Sequence, residues 1–144
     1  MDLKISIKDN KQIISSFSAL LLLTNKGPYS FKSIGSGNHY KSDRQKKIII
    51  TSSLHGSAVF HFIENLLNFY LPRFRYFKGF QNKTLNNFGN FSFTFKDLMV
   101  FPQLEDELEL FYKLKNLRVV LLPRKKIESN HVFFYSLFGF NFVK

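Results

Sequence analysis

The hexapeptide FSFTFK, Phe91 to Lys96, alternates a ring with a hydroxyl or an amine at every step. A strict period of two separates its two classes of side chain only on a β-strand, where successive Cβ atoms point to opposite faces. One face of such a strand must find a core and the other water or a polar partner. The chain is thereby committed to a sheet covered on one side. Leu3 to Lys8 repeats the arrangement, with Leu3, Ile5 and Ile7 against Lys4, Ser6 and Lys8. Tyr29 to Ile34, the β-branched run Lys46 to Leu54, and Leu117 to Leu122, stopped by Pro123, read as further strands.

Stretches of helical period lie between them. Asp9 followed by Gln12 resembles a capping box, and Ile13, Ile14, Phe17, Leu20 and Leu21 then recur at helical spacing to Thr24, with Gly27-Pro28 ending the turn. Ser57 can cap a second helix whose Val59, Phe60, Ile63, Leu66, Leu67 and Tyr70 form one stripe, ended by Pro72. Ser129 can cap a short last helix reaching Phe138-Gly139. The order βαββαββα predicts an α+β fold: an antiparallel sheet of about five strands, helices packed on one face, the opposite face open. A chain of 144 residues can bury a core without a disulfide or metal staple, and no repeat or linker interrupts it, so one domain, 1–144, is expected.

The two faces of the expected sheet differ in kind. If Leu3, Ile5, Ile7, Tyr29, Phe31, Ile48, Ile50, Phe91, Phe93 and Phe95 meet the helices, the other face carries Lys4, Ser6, Lys8, Ser30, Lys32, Lys47, Thr51, Ser53, Ser92, Thr94, Lys96 and Arg118. A face merely wetted by solvent usually mixes both signs of charge, whereas this one has cations and hydroxyls and almost no acid. Lys plus Arg number 21 against 10 Asp plus Glu, a formal net charge of +11, which points to a polyanion. Hydroxyls and cations are the groups that bond phosphate oxygens and ribose 2′-hydroxyls when RNA is recognised by shape.

Other classes of function lack their residues. The absence of cysteine removes disulfides, thiolate zinc sites and cysteine nucleophiles together. No apolar run reaches the roughly 18 residues of a membrane span, so a soluble chain is expected, and the helical stripes suit a core better than lipid. His39, His55, His61 and His131 are scattered, and Glu105, Asp106, Glu107 and Glu109 form one local cluster rather than carboxylates converging from separate elements. Neither a phosphate-binding glycine loop nor a nucleophile elbow is present. No catalytic, metal or cofactor residues are therefore assigned; an organelle-encoded RNA-processing nuclease, or another basic RNA-binding module, is the alternative. The N-terminus shows no cleavable address. Phe, at 19 copies, with Lys, Asn and Ile, all have A/T-rich codons, and tryptophan is absent. An organelle genome codes such a chain, as does an A/T-rich bacterium or apicomplexan.

Three segments then form a pattern: LPRFRYFKGF from Leu71 to Phe80, GNFSF from Gly89 to Phe93, and FPQL from Phe101 to Leu104. In that order and spacing they resemble the universal large-subunit ribosomal protein family numbered five, which binds 5S ribosomal RNA. The motifs map to Pro72, Arg73, Arg75, Phe77, Lys78 and Gly79, to Gly89, Asn90, Phe91 and Ser92, and to Phe101 and Pro102. Gly27-Pro28 through Lys32, Leu54-His55-Gly56 and FGFNF from Phe138 extend the likeness from about Leu3 to the C-terminus. The family's Asp-Gly-Arg-Gly turn is here Asn86-Asn87-Phe88-Gly89, the Glu after its Phe-Pro is Gln103, and its helix before the first strand is not seen.

The resemblance implies a non-catalytic protein of the central protuberance, of organelle type, in the mitochondrial ribosome; another organelle or the bacterial cytoplasm is the alternative. Its implied partners are 5S and large-subunit ribosomal RNA, the P-site transfer RNA, and neighbouring ribosomal proteins including one of the small-subunit head, with no membrane. Ribosomal RNA would meet the outward face, with Arg73, Arg75, Lys78 and Asn90 added to it. Leu71, Phe74, Phe77 and Phe80 are expected to anchor those cations from the core. The loop Gly35 to Gln45 would reach transfer RNA with Asn38, His39, Tyr40, Lys41 and Arg44, and Gly35 and Gly37 are expected to leave its backbone mobile.

Overall fold

The computed structural model describes residues 1–9, 12–34, 47–74, 77–81, 84–86, 88–124 and 131–143, with backbone alone for 8, 9, 30–34 and 47. Strand β1 (Asp2–Asp9) leads to helix α1 (Ile13–Thr24), strands β2 (Ser30–Ile34) and β3 (Lys47–His55) and helix α2 (Ser57–Asn65). After these come the short β4 (Phe80–Gln81), β5 (Phe91–Asp97), α3 (Leu108–Phe111), β6 (Lys115–Leu122), α4 (His131–Leu137) and β7 (Phe142–Val143). The main sheet has five strands in the order β2-β3-β1-β6-β5, with β2 antiparallel to β3 in a register that sets Ser30 opposite Thr51 and Ile34 opposite Lys47. The expected α+β class and strand count are both present. The parallel pair β4 and β7 forms a second, two-stranded sheet that no local period in the sequence announces.

Burial follows the alternation. Leu3, Ile5 and Ile7 on β1, Ile50 and Leu54 on β3, Phe91, Phe93 and Phe95 on β5, and Leu117, Val119 and Leu121 on β6 are buried, while most of their sequence neighbours are half-buried or exposed. Tyr29 does not join them: it precedes β2 and is exposed.

The chain divides into two compact units. The first comprises 1–4, 54–93 and 119–144, and its interior is a cluster of rings. Phe80 contacts Phe91 and Phe93 at centroid separations of 5.0 Å, and Phe140 lies 5.0 Å from Phe91. The α2 stripe in this unit consists of Val59, Phe62, Ile63, Leu66 and Tyr70, whereas Phe60 is exposed and rests on Phe138. The expected stripe is therefore present at Val59, Ile63, Leu66 and Tyr70, with Leu67 half-buried and Phe62 in the place read for Phe60. Leu66–Tyr70 is wound as a π-turn and Leu71–Arg73 as a 3₁₀ turn containing Pro72, after which Phe74 is extended. The widened turn keeps Tyr70 and Leu71 inside the core. Of the four expected anchors, Leu71 and Phe80 are buried and Phe74 half-buried, but Phe77 is exposed along one side and touches Phe80 edge-on at 4.8 Å.

In the second unit, 5–53 and 94–118, α1 packs against α3 and the 3₁₀ turn Pro102–Leu104. Its buried side chains are Ser16, Ala19, Leu20, Leu23 and Thr24; of the apolar face read above only Leu20 is among them, and Ile13, Ile14, Phe17 and Leu21 are exposed. Thr24 pins the end of the helix, its hydroxyl 2.7 Å from the Leu20 carbonyl and 3.2 Å from the Ser52 hydroxyl. Asn25 then closes it in the left-handed conformation, donating to Leu21. The capping reading fails at both helix starts. Gln12, not Asp9, precedes α1 and makes no side-chain cap; Gly56, at a φ of 66°, precedes α2, with Ser57 already helical.

Candidate nucleic-acid interface

The outward row of each strand follows from the pleat. On β1, Lys4 is exposed and Ser6 half-buried; on β3, Thr51 and Ser53 are half-buried. On β5, Ser92 is half-buried and Thr94 and Lys96 are exposed; on β6, Arg118 is exposed. These positions stand opposite in phase to the buried residues of the same strands, as the alternation requires. Arg73 and Lys78 are exposed, and Asn90 is half-buried at the entry to β5. The side chains of Lys8, Ser30, Lys32 and Lys47, and the whole of Arg75, Asn38, His39, Tyr40, Lys41 and Arg44, lie outside the described residues.

The same rows carry features the sequence reading missed. Ile49 on β3 and Val120 and Leu122 on β6 are half-buried in the outward phase of their own strands, where the sequence reading names only hydroxyls and cations. At one end of the first unit, His55 Nδ1 lies 3.0 Å from Asp2 Oδ1 and Arg124 Nε lies 3.5 Å from the same oxygen. The hydrogen bond to His55, aided by Arg124, holds the Asp2 carboxyl below its ordinary value of 3.8. A carboxylate in the outward phase of β1 thus has an imidazole and a guanidinium within 3.5 Å of one oxygen. His55 was legible in part, since 51, 53 and 55 extend the outward phase of β3; the pairing with Asp2, 53 residues away, leaves no local trace.

The motif glycines have geometric reasons. Gly79 has a φ of 123°, and a Cβ there would lie 2.5 Å from Val143 Cγ2 and 3.0 Å from the Asn141 carbonyl oxygen. The next residue, Phe80, donates its amide to that same carbonyl at 2.8 Å, so β4 and β7 approach too closely for any side chain. Gly89, at a φ of 81°, donates to Asn86 at 2.8 Å, and its carbonyl accepts the Tyr135 hydroxyl at 2.7 Å. Tyr135 is buried, and desolvation pushes its phenol up to about 12. Gly79 and Gly89 are therefore each placed against the C-terminal part of the same unit, at Asn141 and at Tyr135.

Among the described residues, no group of three or more His, Cys, Asp or Glu side chains could hold a metal ion, and no helix is long and apolar enough to cross a membrane.

Residues 47–142 match the family model for the C-terminus of the ribosomal protein uL5 family. Over 129 residues the chain is 29% identical to large ribosomal subunit protein uL5m of Reclinomonas americana, covering 90% of this chain and 71% of that one. It is 33% identical over 99 residues to large ribosomal subunit protein uL5 of Ureaplasma parvum, covering 69% of this chain and 54% of the relative. With the uL5 protein of Natranaerobius thermophilus it shares 35% over 104 residues, covering 71% and 58%. The chain spans little more than half the length of these two bacterial relatives.

Proposed function

The chain belongs to the uL5 family of large-subunit ribosomal proteins, and on that premise we propose that it binds 5S ribosomal RNA through the outward rows of its sheet. The observation that carries the proposal is the phase of those rows. Lys4, Thr94, Lys96 and Arg118 are exposed opposite a buried apolar set, hydroxyls stand among them, and the carboxylate at Asp2 is paired. Such a surface neutralises phosphates and offers hydrogen bonds to ribose without reading bases, which is how paired RNA is held. Family membership gives the chain a structural rather than a catalytic role.

Arg73 and Lys78, exposed near the buried Leu71 and Phe80, add two further cations to the proposed RNA contacts. Lys32, Lys47 and Arg75 add charge by the same reading. Asn38, His39, Tyr40, Lys41 and Arg44 form the part proposed to touch P-site transfer RNA, since the segment joins two cations, a stackable ring and flanking glycines. Neighbouring ribosomal proteins, one of them in the small-subunit head, complete the proposed partners. The compartment proposed is the mitochondrion, supported by the likeness to a uL5m protein and by the A/T-rich residue usage.

The test is direct. Tagged protein expressed in mitochondria should co-sediment with large ribosomal subunits, and purified protein should retain transcribed 5S RNA on a filter. Failure in both assays, or metal-dependent cleavage of the RNA by the pure chain, would contradict the proposal.

A further inference from the structure

Phe88 is a ring that the core does not use. It is 64% exposed at the tip of a turn, and among the described residues no other ring stacks on it. The described residues around it are bonded to one another and to the unit's interior. Leu85 bridges Phe91, the Asn86 amide donates to the Asn90 carbonyl at 2.9 Å, and the Gly89 amide returns to Asn86. The Tyr135 hydroxyl then ties the Gly89 carbonyl to the interior of the same unit. An apolar ring is thus presented to water beside the hydrogen-bonded residues Asn86 and Gly89. The polar residues Asn90 and Ser92, both half-buried, follow close behind it in the chain.

We infer that Phe88 is a base-stacking residue: its ring takes the face of an unpaired nucleobase in RNA, with the Asn90 amide and the Ser92 hydroxyl beside it as hydrogen-bonding groups. The inference rests on the RNA-binding reading above and deepens it, because the outward rows bind by charge and shape whereas this tip selects an unstacked base. A phenyl ring has only two torsions to fix on binding. Every base has a π-face, so the site requires exposure of a base rather than one identity.

The chain contains no tryptophan, so Phe88→Trp installs a single indole at the site in question. Two RNAs serve as probes: a transcribed bacterial 5S ribosomal RNA, which has looped bases, and a fully paired RNA duplex of similar length. The Trp variant should bind the 5S RNA as the wild type does, with quenched emission, and should bind the duplex without quenching. Phe88→Ala should lose roughly ten- to a hundredfold in affinity for the 5S RNA. Its duplex affinity, its melting temperature and the salt slope of its binding should be unchanged, because the ring neutralises no phosphate. The inference is overturned if the Ala variant binds 5S RNA like the wild type while the Trp emission stays constant on the bound complex. It is overturned equally if the Ala variant loses both RNAs together, which would make Phe88 a residue of the fold or of a general surface. A wild-type chain that binds neither RNA would refute the parent reading, and that result is distinguished by the unmutated protein alone.

Discussion

The two compact units solve the same packing problem with different side chains. In the unit of 1–4, 54–93 and 119–144, rings fill the interior: Phe80, Phe91, Phe93, Tyr135 and Phe140 are all buried and linked by ring contacts. In the unit of 5–53 and 94–118, aliphatic residues share the interior with Phe95, Phe101 and Phe111 and with the hydroxyls of Ser16, Thr24 and Ser52. Rings are rigid and large, so the backbone around them must be placed closely, and glycines become obligatory where strands approach. Small side chains on α1 let a helix settle onto its neighbours while leaving Ile14 and Leu21 outside. The first unit should therefore be brittle to substitution where the second is tolerant.

The largest expected effect is at Gly79. Gly79→Ala must adopt a φ of 123° with its methyl against Val143 and the Asn141 carbonyl, and should cost about 2–4 kcal/mol in urea unfolding. Gly27→Ala in the other unit meets nothing within 4 Å and should change stability by less than about 1 kcal/mol, in either direction. Equal losses at the two sites would erase the contrast.

Tyr135 comes next. Tyr135→Phe removes the bond to the Gly89 carbonyl and should cost about 1–3 kcal/mol at neutral pH. The phenol's folded value, about 12, lies above its ordinary 10.0, so its protonated form is favoured by folding. That contribution is complete below pH 10 and is lost as pH climbs towards 12. By the conversion of about 1.4 kcal/mol per unit, the wild type should forfeit up to roughly 3 kcal/mol across that window, and the Phe variant should lack this alkaline component. Parallel pH profiles for the two proteins would contradict burial of an ionisable phenol here.

Ser16 offers the smallest effect. Its hydroxyl is buried and makes no hydrogen bond among the described residues, and Ala is the better helix former, so Ser16→Ala should be neutral or stabilising by up to about 1 kcal/mol. A loss above about 1 kcal/mol by thermal unfolding would mean that the hydroxyl has a partner and that the second unit is as exacting as the first.

These contrasts also explain what was legible. The strands were read correctly because a period of two is unambiguous once one face is buried: FSFTFK and Leu3 to Lys8 name their own inward residues. Helix α1 departs from its apolar period because close approach selects the small Ser16 and Ala19 for the buried arc instead of the large apolar residues. On α2 the arc was found, but its edge was drawn through Phe60 rather than Phe62. Pairings between distant segments were not legible, as with β4 and β7 or Asp2 and His55, since hydrogen bonds closed by the tertiary fold impose no local period. The outward candidates Lys4, Thr94, Lys96 and Arg118 came from phase alone and are exposed as that phase requires.

The central claim is that the outward cations Lys4, Lys96 and Arg118 hold RNA by neutralising phosphates, and the salt dependence of binding measures that count. Affinity for transcribed 5S RNA should be titrated across salt concentrations for the wild type and for the combined variant Lys4→Gln, Lys96→Gln, Arg118→Gln, whose side chains are exposed and whose removal should leave the unfolding transition in place. If each cation meets a phosphate, the logarithmic slope of the variant should be shallower than that of the wild type by roughly two to three. An unchanged slope with unchanged affinity would place the RNA elsewhere on the molecule and contradict the account.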